Sequence, residues 1–169
     1  DYKVTGVQTC ALPISFGSEE SGFEGSDYFV NHLPGKLRLS DIVYNVNLDM
    51  IGSYDQTEVV YALGALHGTP GRKLVDSLSH RYPELDIGLD EPSDLSDNVS
   101  FCAEGIPYLF FWTDDPECYH SRCDLPGRID YDGLTSIANL SYDVASDLAN
   151  TSTDLAAAVH PGEDVCGVW

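Results

Sequence analysis

The chain has 169 residues, with 28 acidic side chains against eight basic ones and a formal net charge of −20 at pH 7. Nucleic acids and anionic membrane surfaces bind basic faces, so this charge argues against both as partners. The sequence is 43% hydrophobic and 11% aromatic, too apolar for a disordered acidic tail, and its length suits one domain. It contains no run of about 18 apolar residues, so we predict no membrane span.

The first 14 residues show neither a helical nor a strand pattern. Residues 4–14, VTGVQTCALPI, have neither helical nor strand period, and Pro13 interrupts them. This string resembles the in-frame translation of a common short-read sequencing adapter. We therefore expect residues 1–14 to be a non-native segment, the alternative being an ordinary N-terminal strand, and we leave them out of the fold prediction.

The first half of the remaining chain predicts one short helix and two strands. Ser26 and Asp27 are typical N-cap residues and favour a short helix that runs to about Leu33. Residues 42–51, IVYNVNLDMI, are β-branched and apolar, which predicts a buried strand. Residues 58–64, EVVYALG, predict a second strand.

The middle of the chain predicts two helices separated by a loop. Thr69 and Pro70 begin a helix whose apolar positions lie three to four residues apart as far as Tyr82. The acidic, turn-rich residues 84–98 predict a surface loop. A short helix is expected to follow, at about residues 97–103.

The last third predicts a strand, an irregular segment and a long helix. Residues 106–112, IPYLFFW, are the most apolar run and predict a central strand, and residues 113–130 are irregular. A helical pattern begins at Tyr131 and extends at least to Leu148, with a continuation toward Val159 left open. Strands that alternate with helices predict an α/β protein with a central, mostly parallel or mixed sheet flanked by helices.

Carboxylates follow apolar segments at two places where an α/β enzyme keeps its ligands. Adjacent Glu19 and Glu20 repel each other, so a buried pair needs a cation or a raised pKa. Asp49 stands near the end of an apolar strand, where a carboxylate is costly unless it is paired or bound to a metal. The alternatives are a solvated acidic turn for the Glu pair and a turn-capping role for Asp49.

A third group of reactive side chains lies at residues 118–123, CYHSRC. The C-x-H-x-x-C spacing is not that of a usual structural zinc site, and no second C-x-x-C pair follows. A small disulfide ring that holds His120 outward is one interpretation. A surface histidine beside two free thiols is the other.

Together these segments resemble a known family. In order, FGSEESGFEGSDYFVNHL, NLDMIG, SDNVSFCAEGIPYLFFW and CYHSRCDLPGRIDYDGL resemble the M28 family of zinc aminopeptidases over residues 15–149. The resemblance implies a zinc-exopeptidase fold, in which residues 15–149 are the C-terminal portion of the peptidase domain and residues 150–169 are a tail or helix extension. It also implies two zinc ions as the cofactors of the complete enzyme.

The resemblance assigns roles residue by residue. It makes Glu19 the general base that takes a proton from water and delivers it to the leaving amine. It makes Glu20, Asp49 and His120 zinc ligands. It also makes Tyr119 a candidate to stabilise the tetrahedral intermediate and suggests a Cys118–Cys123 disulfide. Where the family often has Ser-Asp-His, this chain has Ser-Asp-Asn, and whether Asp97 orients the site or caps the following helix stays open.

Two ligands of the family pattern are not matched. They are a histidine in an H-x-D motif and a bridging aspartate, both upstream of the Glu pair. The remaining histidines are expected on the surface: His32, His67, His80 and His160. We therefore expect this chain alone to bind zinc weakly and to hydrolyse nothing measurable. Whether Cys102 and Cys166 are free or paired is not decided by the sequence.

The expected function of the parent protein is removal of N-terminal residues from peptides. An acidic site beside the metals suits the α-ammonium group of a free N-terminus, and a monomeric, extracellular enzyme is expected. The alternatives are a metallocarboxypeptidase of the same superfamily and a non-catalytic, peptidase-like binding domain. An upstream H-x-D motif with a bridging aspartate would favour an enzyme, and its absence would favour a binding module.

Overall fold

Four short strands form one mixed sheet in a computed structural model that describes residues 11–65, 69–90, 95–115, 117–151 and 155. The strands are β1 (Asn45–Leu48), β2 (Val60–Leu63), β3 (Ile87–Asp90) and β4 (Tyr108–Trp112). Their order is β1-β4-β2-β3, with β1 parallel to β4, β2 parallel to β3, and β2 antiparallel to β4. The predicted α/β class with a mixed sheet is confirmed.

Five helices flank this sheet. They are α1 (Glu24–Asn31), the single turn α2 (Tyr54–Thr57), α3 (Pro70–Leu78), α4 (Asn98–Ala103) and α5 (Tyr131–Asn150). Two of them begin at side-chain caps, because the hydroxyl of Thr69 accepts the Arg72 N–H at 3.2 Å and the carboxylate of Asp130 accepts the Gly133 N–H at 3.0 Å. Short 3₁₀ turns occupy Glu19–Ser21, Leu39–Asp41, Ser79–Arg81 and Pro126–Arg128. None of the described helices combines the length and the hydropathy that a bilayer crossing requires.

The core forms on both faces of the sheet because side chains alternate along each strand. One face presents Val60, Ala62, Leu109 and Phe111, which join buried residues of α3 and α5 in the main core cluster. The opposite face presents Leu63, Tyr108 and Phe110 toward Cys102 of α4. A third cluster joins α1 to α4 through Val30 and Phe101. Burial on both faces explains why residues 106–112 are apolar without alternation.

The segment predicted as a surface loop contains a strand, so that prediction is wrong. β3 lies within residues 84–98 and pairs in parallel with β2. Its sequence, IGLD, is short and ends in an acid, and Leu89 is exposed at the sheet edge. β3 is defined by its backbone pairing with β2. Backbone pairing does not require a hydrophobic pattern, so the sequence gives little sign of this strand.

Several predicted boundaries also shift. α1 begins at Glu24, and Ser26 is buried inside it, where its hydroxyl bonds to the carbonyl of Phe23 and the hydroxyl of Ser100, so Ser26 is not the N-cap. The strand predicted over residues 42–51 is limited to β1. α5 ends at Asn150, where Thr151 has an extended backbone, so the helix does not run on directly toward Val159. The rest of that continuation, apart from residue 155, lies outside the described residues.

The alternative of an ordinary N-terminal strand is excluded for the part of residues 1–14 that the structure describes. Residues 11–14 are exposed and form no strand. Residues 1–10 lie outside the described residues. The expectation that residues 1–14 are non-native stays a prediction.

Candidate active site

A cleft of about 1000 Å³ lies where the parallel strands β1 and β4 reach their carboxyl ends. In open α/β sheets this is the edge where ligands bind. Its charged lining is almost entirely acidic and comprises Glu19, Glu20, Asp49, Asp114, Asp115 and Asp124. Arg128 is the only lysine or arginine among the described residues that line it. The three groups of residues singled out in the sequence therefore meet in one cleft.

The two glutamates enter the cleft on a sharp turn. The 3₁₀ turn Glu19–Ser21 lies between Ser18 and Gly22, which both have left-handed backbones, with φ of 59° and 96°. Behind the turn, the backbones of Gly17 and Gly25 pack so closely that a Cβ on Gly25 would collide with the Gly17 oxygen. The turn is thus held against the start of α1. Glu20 remains 71% exposed, so it is not buried in an apolar core.

Glu20 and His120 converge although 100 residues separate them in the chain. Oε1 of Glu20 lies 2.8 Å from Nε2 of His120. The side chain of His120 is 52% exposed and stacks on the ring of Tyr119, with 3.8 Å between ring centroids and an angle of 21°. Because a carboxylate oxygen can only accept, Nε2 donates the hydrogen bond in this arrangement.

Asp49 is held from one side by a buried hydroxyl. Ser96, only 1% exposed, donates from its Oγ to Oδ2 of Asp49 at 2.9 Å and accepts from Nδ2 of Asn47 at the same distance. The described side-chain partner of Asp49 is therefore a serine from the segment before α4. The alternative in which Asp49 caps a neighbouring turn finds no support in these bonds.

Two carboxylates in and beside the cleft, those of Glu19 and Asp97, have raised pKa values. Partial burial raises the pKa of Glu19, and the nearby charges of Asp49, Glu20 and Asp97 raise it further, with His120 acting in the opposite direction. Burial raises the pKa of Asp97 as well. A hydrogen bond from Ser26 lowers this pKa, and the charge of Asp49 raises it.

Asp97 occupies the N-cap position of α4, but its side chain makes no capping hydrogen bond. Its Oδ1 is buried without a described hydrogen-bond partner. The side chain of Asp97 therefore does not cap α4, and its orienting role stays a prediction.

The loop that carries Tyr119 and His120 is closed by a disulfide between Cys118 and Cys123, whose Cα atoms lie 5.4 Å apart. This confirms the suggested bridge and rules out the pair of free thiols. His120 itself has a left-handed backbone with φ of 51°. Cys102 is also disulfide-bonded, which the sequence left open, and Cys166 lies outside the described residues.

The chemistry of these donors fits zinc, which binds carboxylate oxygens and imidazole nitrogens. Glu20 and His120 already bring two such atoms together, and Asp49 faces the same cleft with one oxygen taken by Ser96. The described residues contain no group of three His, Cys, Asp or Glu side chains that could hold a metal. The described residues therefore supply a partial ligand set, with one converged pair.

The other described histidines lie away from the cleft lining, as expected. His32 is exposed, stacks on Tyr28 and bonds to its carbonyl through Nδ1 at 3.0 Å, and His80 is exposed as well. His67 and His160 lie outside the described residues. The sequence reasoning missed Ser96 as a partner of Asp49 and Arg128 as a neighbour of Asp115, because each of these contacts joins separate segments of the chain. It also missed Asp115, whose bonds to the loop are local but whose burial the sequence does not show.

The fold and the cleft place this protein in the zinc-aminopeptidase structural class. The chain superposes on BSAP, a zinc aminopeptidase from Bacillus subtilis, with a TM-score of 0.68 and 25% sequence identity, covering 89% of this chain and 38% of that one. The model of peptidase family M28 matches residues 13–145. The chain therefore belongs to peptidase family M28.

Two curated relatives are aminopeptidases. Aminopeptidase YwaD of Bacillus subtilis is 36% identical in an alignment of 139 residues that covers 75% of this chain. An aminopeptidase of Pseudomonas aeruginosa is 27% identical in an alignment of 157 residues that covers 73% of this chain. The match spans 29% of the length of each of these relatives.

Proposed function

We propose that this chain provides the general base and three zinc ligands of an M28 aminopeptidase. The observation that carries the proposal is the convergence of Glu20 and His120, 2.8 Å apart, in a cleft that also receives Glu19 and Asp49. The names of the relatives support an aminopeptidase rather than another peptidase. The substrates would be peptides with a free N-terminus.

In this proposal Glu20 and His120 bind one zinc ion and Asp49 binds a second. Bound zinc would polarise the scissile carbonyl and lower the pKa of a coordinated water. Ser96 holds Oδ2 of Asp49 at 2.9 Å, which fixes the carboxylate and leaves Oδ1 for the cation. The two further ligands that the resemblance implies are not matched by motif in this chain, so the chain alone would bind zinc weakly.

The remaining site residues would move protons and stabilise charge. Glu19 lines the cleft beside Glu20, and it would take a proton from the attacking water and return it to the leaving amine. Tyr119 is exposed on the rim and stacked on His120, where its hydroxyl would donate to the oxyanion of the tetrahedral intermediate.

The charge of the cleft favours an N-terminal over a C-terminal substrate group. A carboxypeptidase needs a cation for the substrate carboxylate, and Arg128 is the only candidate among the described lining residues. Its Nη2 already donates to Gln56 at 2.8 Å and to Glu117 at 3.1 Å. The acidic lining instead attracts an α-ammonium group. A non-catalytic binding domain would have no need for a carboxylate and an imidazole held in contact.

We further propose that the parent protein works in an oxidising, extracellular environment. Disulfides persist there and are rare in reducing compartments. The Cys118–Cys123 bridge and the disulfide-bonded state of Cys102 support this proposal.

Zinc titration of the 169-residue chain by isothermal calorimetry tests the metal site. His120→Ala should weaken zinc binding by about 100-fold, since loss of a ligand should cost at least as much as loss of a residue that supports one. His32→Ala is the matched control, because His32 is also exposed and ring-stacked but lies outside the cleft. Equal zinc affinity in the parent chain and His120→Ala would contradict the proposed ligand.

Hydrolysis of an aminoacyl-p-nitroanilide tests the partial ligand set. The chain with added zinc should release no measurable nitroaniline, whereas a longer chain with a matching H-x-D motif and bridging aspartate should. Turnover by the 169-residue chain at rates typical of an aminopeptidase would show that these residues suffice. No turnover by the longer chain would favour the binding-domain alternative.

A further inference from the structure

The backbone of His120 requires an external restraint. Its φ of 51° lies in the left-handed region, which a non-glycine residue keeps only where its surroundings hold it. The side chain is more than half exposed, and its stacking partner, Tyr119, is its neighbour in the chain. Neither feature ties His120 to the rest of the fold. Its hydrogen bond to Glu20 holds only the imidazole, and the Glu20 side chain is itself 71% exposed, so the backbone of the loop needs a restraint of its own.

Asp115 supplies that restraint from beneath the loop. It lies three residues after β4 and is only 7% exposed. Its Oδ1 accepts the N–H groups of Cys118 at 2.9 Å and Glu117 at 3.3 Å, and its carbonyl accepts the N–H of Tyr119 at 3.1 Å. One buried residue therefore fixes the three positions that lead directly to His120.

Arg128 balances the charge of this buried carboxylate. Its Nη2 lies 3.9 Å from Oδ1 of Asp115 and donates to Oε2 of Glu117 at 3.1 Å and to Oε1 of Gln56 at 2.8 Å. Gln56 belongs to α2, so the arrangement connects the loop to a helix on another part of the chain. Asp115 and Arg128 thus anchor the loop to the sheet and to α2.

The disulfide restrains the shape of the loop but does not anchor it to the rest of the fold. It joins Cys118 to Cys123 and closes a ring around His120, which limits the shapes that the loop adopts. Both cysteines belong to the loop, so this bond does not fix the loop relative to Glu20. The anchoring of the ring depends on Asp115.

We propose that Asp115 is a positioning residue for His120, acting through the backbone of Cys118 and Tyr119 to bring Nε2 to Glu20. The inference rests on the proposed role of His120 as a zinc ligand. The direct consequence of this role is the position of the His120 imidazole, which can be measured without zinc.

The test compares Asp115→Ala, Asp115→Asn and Asp114→Asn in the 169-residue chain. Alanine removes the acceptor, whereas asparagine keeps an oxygen that accepts the same N–H groups. Asp114 is the matched control, because it is the adjacent acid and lines the same cleft. NMR of the metal-free protein follows the His120 ring nitrogens and the hydrogen exchange of the Cys118 amide, with the Phe111 amide of β4 as the internal reference.

Asp115→Ala should lose the signature of the Nε2 hydrogen bond to Glu20 and speed exchange at Cys118 by about tenfold, while Phe111 stays unchanged. Zinc affinity should fall by about tenfold, as for other residues that orient a metal ligand. Asp115→Asn should keep the signature of the Nε2 hydrogen bond. It should also hold the Cys118 exchange rate and the zinc affinity within about threefold of the parent chain, since the hydrogen-bond acceptor is kept. Asp114→Asn should leave the His120 ring signals and the exchange of the Cys118 amide unchanged.

The proposal is overturned if Asp115→Ala leaves the His120 ring signals unchanged, or if Asp114→Asn alters them equally. If Asp115→Ala does not fold, Asp115→Leu takes its place with the same expected result, since leucine has nearly the shape of aspartate but no hydrogen-bond acceptor. If the parent chain binds no zinc at all, the proposed function fails, but the ring and amide readouts still decide the role of Asp115.

Discussion

The two sides of this molecule are held together by different kinds of interaction. Behind the sheet, residues such as Phe111, Ile137 and Leu140 are fully buried and belong to regular strands and helices. In the cleft, the site residues stand on turns and loops and most are polar and partly exposed. The first region is held by apolar packing, and the second by a few directed hydrogen bonds and a disulfide. The difference teaches that apolar packing supplies most of the stability, whereas directed bonds set the geometry of the site and contribute less to stability.

Backbone conformation marks the same division. Of the five described non-glycine residues with positive φ, four adjoin or belong to the proposed site: Ser18, Phe23, Met50 and His120. The fifth, Glu58, ends α2. A left-handed non-glycine residue costs about 1–2 kcal/mol. The cleft therefore holds backbone strain that the packed core offsets, a distribution typical of functional sites.

The largest expected effect tests the core side of this comparison. Phe111→Ala should lower the free energy of unfolding by about 3–5 kcal/mol, because it empties a fully buried position of the central strand. Leu125→Ala, at an exposed position beside the cleft loop, should cost less than about 0.5 kcal/mol. Urea unfolding followed by circular dichroism measures both. A similar cost for the two variants would remove the distinction between the regions.

Removal of the Cys118–Cys123 disulfide should have the next largest effect. A bridge that closes so short a loop stabilises the folded state by about 2 kcal/mol through the entropy of the unfolded chain. The double variant Cys118→Ser with Cys123→Ser should lose about that amount in urea unfolding. Its hydrogen exchange should rise throughout residues 117–124, whereas core amides should change only by the global loss of stability. Local exchange equal to that of the parent chain would show that Asp115 alone holds the loop.

Ser96→Ala is expected to cost about 1–2 kcal/mol, since the amide of Asn47 and the carboxylate of Asp49 both lose a hydrogen-bond partner. Ser77→Ala, which removes an exposed hydroxyl of α3 bonded to the Leu74 carbonyl, is the matched control and should cost less than about 0.5 kcal/mol. Thermal unfolding of the two variants measures the difference. A cost for Ser96→Ala no greater than the control would show that Asp49 needs no fixed partner in the metal-free protein.

The smallest expected effect is a gain in stability. The folded protein raises the pKa of Glu19, so its ionised form is disfavoured on folding, and this penalty is present above that pKa. As pH falls through the folded-state pKa the penalty disappears. Glu19→Gln should therefore raise the Tm of the metal-free protein at pH 7, and the gain should vanish below the ordinary glutamate pKa of about 4.3. A Tm gain that persists at pH 3.5 would have another origin.

The part of the fold that the sequence predicted is the part built on local pattern. The cap Thr69 and the apolar run of β4 are readable in a few consecutive residues, whereas the cap Asp130 was not predicted. Strand β3 was missed because its pairing with β2 involves the backbone, which the side-chain pattern does not report. The single turn α2 is too short to show a helical period.

The sequence by itself determined the α/β class, the residue types of the site and the family that their order resembles. These follow from local hydrophobic pattern and from motifs whose residues are consecutive. Only the tertiary structure decided that Glu20 meets His120, that Ser96 holds Asp49, and that Asp115 and Arg128 support the His120 loop. The contacts of Glu20, Ser96 and Arg128 join segments whose distance is fixed by the packing of the sheet and helices, and no spacing within one segment encodes them. The bonds from Asp115 to the loop are local, but the sequence does not show that this aspartate is buried.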